Sequence, residues 1–498
     1  MKVLFVMGPD ALSRNAWPRV LADVALGGGV TEIGSIGFGV GSDTKGTLPL
    51  HVDYMEHVGW EDLPGFSRSN RALAAYNTFV AEPKYQHFRF LSLKMLGRKD
   101  LTGTFRFLDR EVYLQASLLQ LFDVLQARNP DVLVFPVTPH EFLPFVAQNV
   151  AERLGIRILF FQPSPMAPTL LARTSLNSIF PAAASDLPSA GIGEHVEVTL
   201  RRSFARLVEG QNPIYMDSQL NRDRYVVKWW SRFKALRVTL RWMRTDRFPE
   251  SVDLSGHNPN HGFFSRLLKV LLVRSLQRNL REKALLLGRD VDSSKPYAIL
   301  ALHYEPERTS MPEGLPIDFQ GDALTKARGL LPDETTLVVK EHYSQQSAAK
   351  RGFAGRTPLF YDLVESLPNT VFAKTTATLS SIVGGAECVV TLTGTIALEA
   401  VLRGVPVGYF GTPWWGGLPG TTRITKGLKY EDLVGVALPS EDQVFAFLKD
   451  LHDNVMIPGI GSEPLSIIVD RLGPLPEGFF EAEANAISGV IRSFQAKM

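Results

Sequence analysis

Residues 388–412 read CVVTLTGTIALEAVLRGVPVGYFGT. A short β-branched run at 388–392 meets a tight polar turn, Thr393-Gly394-Thr395, and an apolar run with helical spacing follows at 396–402. A second β-rich run at 405–410 closes at Gly411. Two short strands joined by one helix predict a strand-turn-helix-strand unit of parallel sheet, because parallel neighbours need a crossover. The turn then lies at the carboxyl end of a strand and the amino end of a helix, where backbone N–H groups and the helix dipole favour a phosphate. Gly394 admits close approach of a ligand, and Thr393 and Thr395 add hydroxyl donors. Glu399, one helical turn beyond Thr395 on the same face, is placed to accept hydrogen bonds from a ribose. An ordinary crossover helix capped by threonine would read the same way, so the rest of the chain decides between the two.

Outward from this stretch the pattern repeats. Strands are predicted at 297–302, 336–339 and 370–372 as well as 389–392 and 405–410, which makes a doubly wound domain preceded by the linker-like 292–296. The first part of the chain reads likewise, with strands at 2–7, 32–40, 131–135 and 156–161 and helices at 17–26, 110–127 and 142–154. Between the two lies a helical region without strand signals. The expected organisation is a first Rossmann-like domain at 1–193, a helical insert or linker at 194–291, a second Rossmann-like domain at 292–475, and a terminal helix at 476–498 packing back on the first. The fold class is therefore α/β, with two doubly wound domains.

Composition bounds the class of function. The 498 residues are 45% hydrophobic and 21% charged with a net charge of +2, an ordinary globular balance that implies no strongly charged partner for the protein as a whole. The single cysteine, Cys388, cannot form an internal disulfide, and the opening MKVLFVMGPD is too brief for a signal-peptide core, so a cytoplasmic protein is expected. No window reaches the roughly 18 apolar residues of a membrane span. The exception to the even charge is 224–248, RYVVKWWSRFKALRVTLRWMRTDRF, with eight basic residues, one acid and interleaved aromatics. Such a stretch suits an anionic membrane face or acceptor, or an amphipathic helix with solvated arginines. No recognition motif accompanies it, so nucleic acid is not an expected partner.

Polar clusters follow the strands of the second domain: HYEPERT after the first, KEHY after the second, the TGT turn with Glu399 after the fourth, and GTPWW after the fifth. In open α/β sheets, ligands bind outside the carboxyl ends of strands, so the clusters are expected to converge on one crevice. Lys340 and His342 are candidate phosphate partners there, with His303, Glu307 and Arg308 beside them; Glu307 and Arg308 also read as a structural ion pair. No set of side chains has convincing metal-ligand spacing and no P-loop is present, so no metal and no cofactor is expected.

HYEPERT, VVKEHY and TLTGTIALEAVLRGVPVGYFG, in that order, resemble signature segments of the bacterial capsule polysaccharide biosynthesis family, which includes the Kdo transferases of capsule assembly. The resemblance covers most of 297–415, with weaker support from PHEFLPFVAQNVAERLGIRILFFQPS at 139–164. It implies a GT-B architecture whose two domains face a cleft, with a nucleotide sugar held mainly by the second. A KxHP-like segment used for a CMP phosphate maps onto Lys340 and His342, with Tyr343 where proline is usual, and Glu399 matches the family's glutamate. The implied function is a metal-independent glycosyltransferase moving a sugar from a CMP-Kdo-like or UDP-linked donor to a growing or lipid-linked bacterial surface polysaccharide. Sugar transfer needs a base for the acceptor hydroxyl and positive groups for the departing phosphate. Candidates for the base are His140 and Glu141, after the strand at 131–135, and Asp10, after the first strand; Glu141 and Asp10 also read as helix-start and turn residues. A non-hydrolysing nucleotide-sugar epimerase and a non-catalytic scaffold in polysaccharide assembly are the other readings.

Overall fold

The computed structural model describes residues 2–6, 16–26, 32–36, 52–55, 69–99, 106–179, 190–211, 263–346 and 352–496. Strands are numbered in chain order. β1 (Lys2–Val6), β2 (Glu32–Ile36), β3 (Val52–Met55), β4 (Val132–Phe135), β5 (Arg157–Pro163), β6 (Thr169–Ser175) and β7 (Ser178–Ile179) come first. β8 (Tyr297–Ala301), β9 (Thr336–Lys340), β10 (Thr370–Phe372), β11 (Val389–Thr391), β12 (Val407–Tyr409) and β13 (Thr421–Arg423) follow, and β14 (Ile457–Pro458) is last.

They form two sheets in two compact units. One unit comprises Met1–Arg201 and Lys449–Met498, and the other runs through to Leu448. In the first sheet β3-β2-β1-β4-β5 are parallel, and β6, β7 and β14 extend it antiparallel. The second sheet, β10-β9-β8-β11-β12-β13, is parallel throughout. In both, the first strand of the unit has its neighbours wound away on either side, the doubly wound order whose reversal point opens a ligand crevice. The α/β class with two doubly wound units is thus the observed one.

The strands read from the sequence were readable because parallel strands covered on both faces become continuous apolar runs. Val132–Phe135 and Tyr297–Ala301 are buried at every position. Trp17 anchors the first core, its ring centroid 6.3 Å from that of Phe5 and 6.2 Å from that of Phe161. The second core gathers Leu300, Val339, Tyr361, Phe372, Val390 and Phe410.

Two boundaries differ from expectation. The helix Phe263–Leu287, assigned to an insert, buries Leu280, Ala284 and Leu287 in the second core and so belongs to that unit. Residues 449–475, assigned to the second domain, belong to the first: Ile457 pairs with Leu170 of β6 and joins the first core. The terminal helix Phe479–Ala496 also packs in the first unit, placing Ile487 and Ile491 beside Trp17 and Val20. The strand expected at 405–410 shortens to Val407–Tyr409, because the Val405 N–H still caps the preceding helix at Ala400 O (2.9 Å). The basic stretch 224–248 lies outside the described residues, and no described helix is long and apolar enough to cross a membrane.

Candidate functional site

The reversal point of the second sheet falls between β8 and β11, and the loops leaving these two strands meet around His303. His303 follows β8 by two residues and is buried. Its Nε2 accepts the Thr393 N–H (3.1 Å) and lies 3.2 Å from the Thr391 hydroxyl. An Nε2 that accepts must be unprotonated, which makes the ring neutral with its proton on Nδ1. Burial pushes this imidazole down to about 3, and the electrostatic influence of His342 and Arg356 adds to the effect. Gln320 brackets the residue from the other side, accepting the His303 N–H at 2.7 Å and donating to its carbonyl at 3.1 Å.

The TGT turn is therefore built differently from expectation. The Thr393 N–H goes to His303, the Gly394 N–H to Thr391 Oγ1 (3.3 Å), and the Thr393 hydroxyl to the Thr309 carbonyl (2.9 Å). Both N–H groups and that hydroxyl serve the turn itself. A Cβ on Gly394 would sit 2.8 Å from Thr391 Oγ1, so its missing side chain is required by the turn's own hydroxyl contact. Thr395 and Glu399 are half-buried. No hydrogen bond from the described residues reaches the Glu399 carboxyl; burial raises its pKa and Arg403 opposes the rise.

The loop after β8 continues across the ends of β11 and β12. The Thr412 N–H donates to the Glu313 carbonyl (2.8 Å), and a Cβ on Gly411 would come within 2.4 Å of that oxygen. Arg308 pairs with Glu313 (3.1 Å), and Glu307 accepts from the Thr309 hydroxyl (3.0 Å). The Glu313 carboxylate that Arg308 meets, five residues on, is buried.

After β9, Lys340 is buried and its ammonium donates to the carbonyls of Lys374 (3.2 Å) and Thr375 (3.3 Å). Burial lowers it to about 8, against the pull of neighbouring Glu341. His342 is half-buried and caps a short turn, its Nδ1 accepting the Ser344 N–H at 3.2 Å; its ring centroid lies 6.4 Å from that of Tyr304.

Arg356 ties these loops together, and nothing in the sequence reading named it. Its Nε and Nη2 donate to Glu341 (3.1 and 3.2 Å), its Nη1 to Glu305 (3.0 Å) and its Nη2 also to the His303 carbonyl (3.2 Å). Phe360 stacks beneath the guanidinium at 4.2 Å. The available signal was the glycine pair in GFAGR, Gly352 and Gly355, just before the helix Pro358–Ser366.

In the first unit, His140 and Glu141 sit on the loop after β4. His140 Nδ1–H donates to the Thr138 carbonyl (2.9 Å), and Glu141 is the exposed N-cap residue of the helix Phe142–Arg153. Asp10 lies outside the described residues. A second polar group lies on this unit: Ser164, just past β5, is 3.0 Å from His452 Nε2, and both are buried. Thus His303, Glu307, Arg308, Thr393, Gly394, Thr395 and Glu399 gather at the ends of β8 and β11. Lys340 and His342 stand at the end of β9, bound in through Glu341 and Arg356.

No family model and no curated protein matches the sequence. Among solved structures the chain is similar to KpsC of Thermosulfurimonas dismutans, a β-Kdo 2,7-transferase, at 12% identity and a TM-score of 0.26, covering 70% of this chain and 97% of that one. It is also similar to the UDP-GlcNAc 2-epimerase of Neisseria meningitidis bound to UDP-GlcNAc, at 11% identity and a TM-score of 0.20, covering 100% of each chain. A third is the spinosyn rhamnosyltransferase SpnG, at 11% identity and a TM-score of 0.19, covering 99% of this chain and 100% of that one. No residue's role follows from likeness this distant.

Proposed function

We propose that the protein is a metal-independent GT-B glycosyltransferase. It takes a sugar from a nucleotide-activated donor, CMP-Kdo or a similar CMP-sugar before a UDP-sugar, and adds it to a growing or lipid-linked bacterial surface polysaccharide. The observation that supports this reading is the meeting of three polar loops, after β8, β9 and β11, at the reversal point of a parallel sheet. A departing nucleotide needs positive charge at its phosphate and a hydrogen-bond acceptor at its ribose. Lys340 supplies the charge and the His342 ring a further N–H donor, and a phosphate near the Lys340 ammonium would raise its lowered pKa and keep it protonated. The Thr395 hydroxyl adds a donor, and the Glu399 carboxyl is the ribose acceptor. His303, Thr393 and Gly394 shape the turn that presents them. For the acceptor hydroxyl, the loop after β4 offers His140 and Glu141 as the base. The stretch 224–248 is assigned to an anionic acceptor or to the inner face of the cytoplasmic membrane.

A thermal-shift panel with CMP, CDP, UMP, UDP, GDP and TDP tests the reading, because a ligand that binds only the folded state raises the melting temperature by mass action. Stabilisation by CMP, lost in Glu399→Ala and in His342→Ala, is the expected result. Selective stabilisation by a diphosphate would replace the CMP-sugar donor, and turnover of a nucleotide sugar without nucleotide release would indicate an epimerase. No response to any nucleotide would sink the enzyme reading in favour of a scaffold.

A further inference from the structure

We propose that Arg356 is the positioning residue of this site, fixing the loops after β8 and β9 to each other and, through Glu341, setting the place of His342. The inference rests on the nucleotide-site reading above. The Arg356 side chain has no solvent exposure, and those of Glu305 and Glu341 are 8% and 2% exposed. One guanidinium thus stands between two carboxylates carried by different loops, Glu305 after β8 and Glu341 directly after β9. A planar fork of donors suits this task, since it engages Glu341 with two nitrogens and still reaches Glu305 and the His303 carbonyl. Glu341 is shared onward, accepting the His342 N–H (3.2 Å) and the Tyr361 hydroxyl (2.9 Å). The bonds of Arg356 therefore end at the backbone of both candidate histidines.

Close packing supports the same assignment. A Cβ on Gly355 would lie 2.4 Å from the Cβ of Glu305, and a Cβ on Gly352 would lie 1.8 Å from the carbonyl oxygen of Gln345. The Gln345 amide accepts the Glu305 N–H (2.8 Å) and donates to the carbonyls of Glu305 (2.9 Å) and Gly352 (2.6 Å). Three loops are pressed together with glycine where they touch. Buried ion pairs of this kind seldom add stability over apolar packing of the same volume, because desolvation offsets their attraction. Geometry at the site is then the property that Arg356 supplies.

The test is calorimetric titration of the full-length protein with CMP and with UDP, comparing wild type, Arg356→Lys, His342→Ala and the double variant, each melted in parallel. Arg356→Lys keeps the charge and loses the fork. It is expected to weaken binding about tenfold, the size of a lost charge-assisted hydrogen bond, at a temperature where it remains folded. Because Arg356 acts through His342, the loss in the double variant should fall short of the product of the two single losses. Wild-type affinity in Arg356→Lys, or losses that multiply, would overturn the proposal and leave the nucleotide reading standing. If wild type binds neither nucleotide, both fall. Should Arg356→Lys not fold, Glu305→Gln serves instead: it keeps the Arg356–Glu341 pair and the side-chain shape, and is expected to weaken binding about threefold, a fraction of one hydrogen bond. An unchanged affinity in that variant overturns the proposal equally.

Discussion

His303 holds the TGT turn with a lone pair, so its charge state and the turn's shape are one property. Its imidazole is lowered from 6.5 to about 3 by burial, so the stability it contributes is present above pH 6.5 and is lost as pH falls toward 3. Over that range the loss is on the order of 4 kcal/mol. His303→Gln should therefore lower stability at pH 7.5 yet flatten the acid limb, as read from urea midpoints between pH 4.5 and 7.5. Glu483 behaves in the opposite sense. Its Oε1 accepts the N–H groups of Ile460 (2.8 Å) and Gly461 (2.7 Å), but burial outweighs them and raises the carboxyl to about 7. The stability it contributes is full below its ordinary value of 4.5 and is lost as pH rises through 7, a change on the order of 3 kcal/mol. Glu483→Gln should be the more stable protein at pH 8 and lose its advantage at pH 5; equal pH profiles would refute this. Lys340 and His342 were singled out in the sequence because a polar residue just past an apolar strand stands out. Arg356 was not, since its carboxylate partners lie 51 and 15 residues away and only folding brings them together.

At the scale of elements, length and burial decided what sequence revealed. Strands covered on both faces announce themselves as apolar runs, as β4, β8 and β9 do. Those missed were short or extended the sheets antiparallel: β7 and β14 have two residues each, and β13 has three bounded by Gly420. The polar turn after β11 was found, but its internal wiring was invisible because Thr309 and His303 come from another loop. Gly355 meets Glu305 closely at this seam, where a Cβ would lie 2.4 Å from the Glu305 Cβ and 2.5 Å from its backbone carbon. Gly355→Ala should destabilise the protein by about 1–3 kcal/mol, the usual cost of overpacking. Gly329→Ala, where a Cβ meets nothing within 4 Å, should be at least as stable as wild type. Urea unfolding of the two variants distinguishes a packed seam from a loosely apposed one.

At the scale of the molecule, periodicity revealed two doubly wound units and a terminal helix expected to pack back on the first, but not that 449–475 returns there as well. The tail signals a helix well enough; which core it covers depends on Ile457, Ile487 and Ile491 finding Trp17 and Val20. A chain stopped at Leu448 should keep the second unit folded while the first exposes the face that Phe479–Ala496 covers. Limited proteolysis of the truncated chain should spare 263–448 and cleave 69–201, and equal resistance of both would argue that the first unit is complete without its tail. During synthesis this arrangement separates starting from finishing. The ribosome makes most of the first unit before any of the second, yet the second can close as soon as Leu448 has left the exit tunnel. The portion begun earlier must then wait, partly assembled, for 449–498 to emerge.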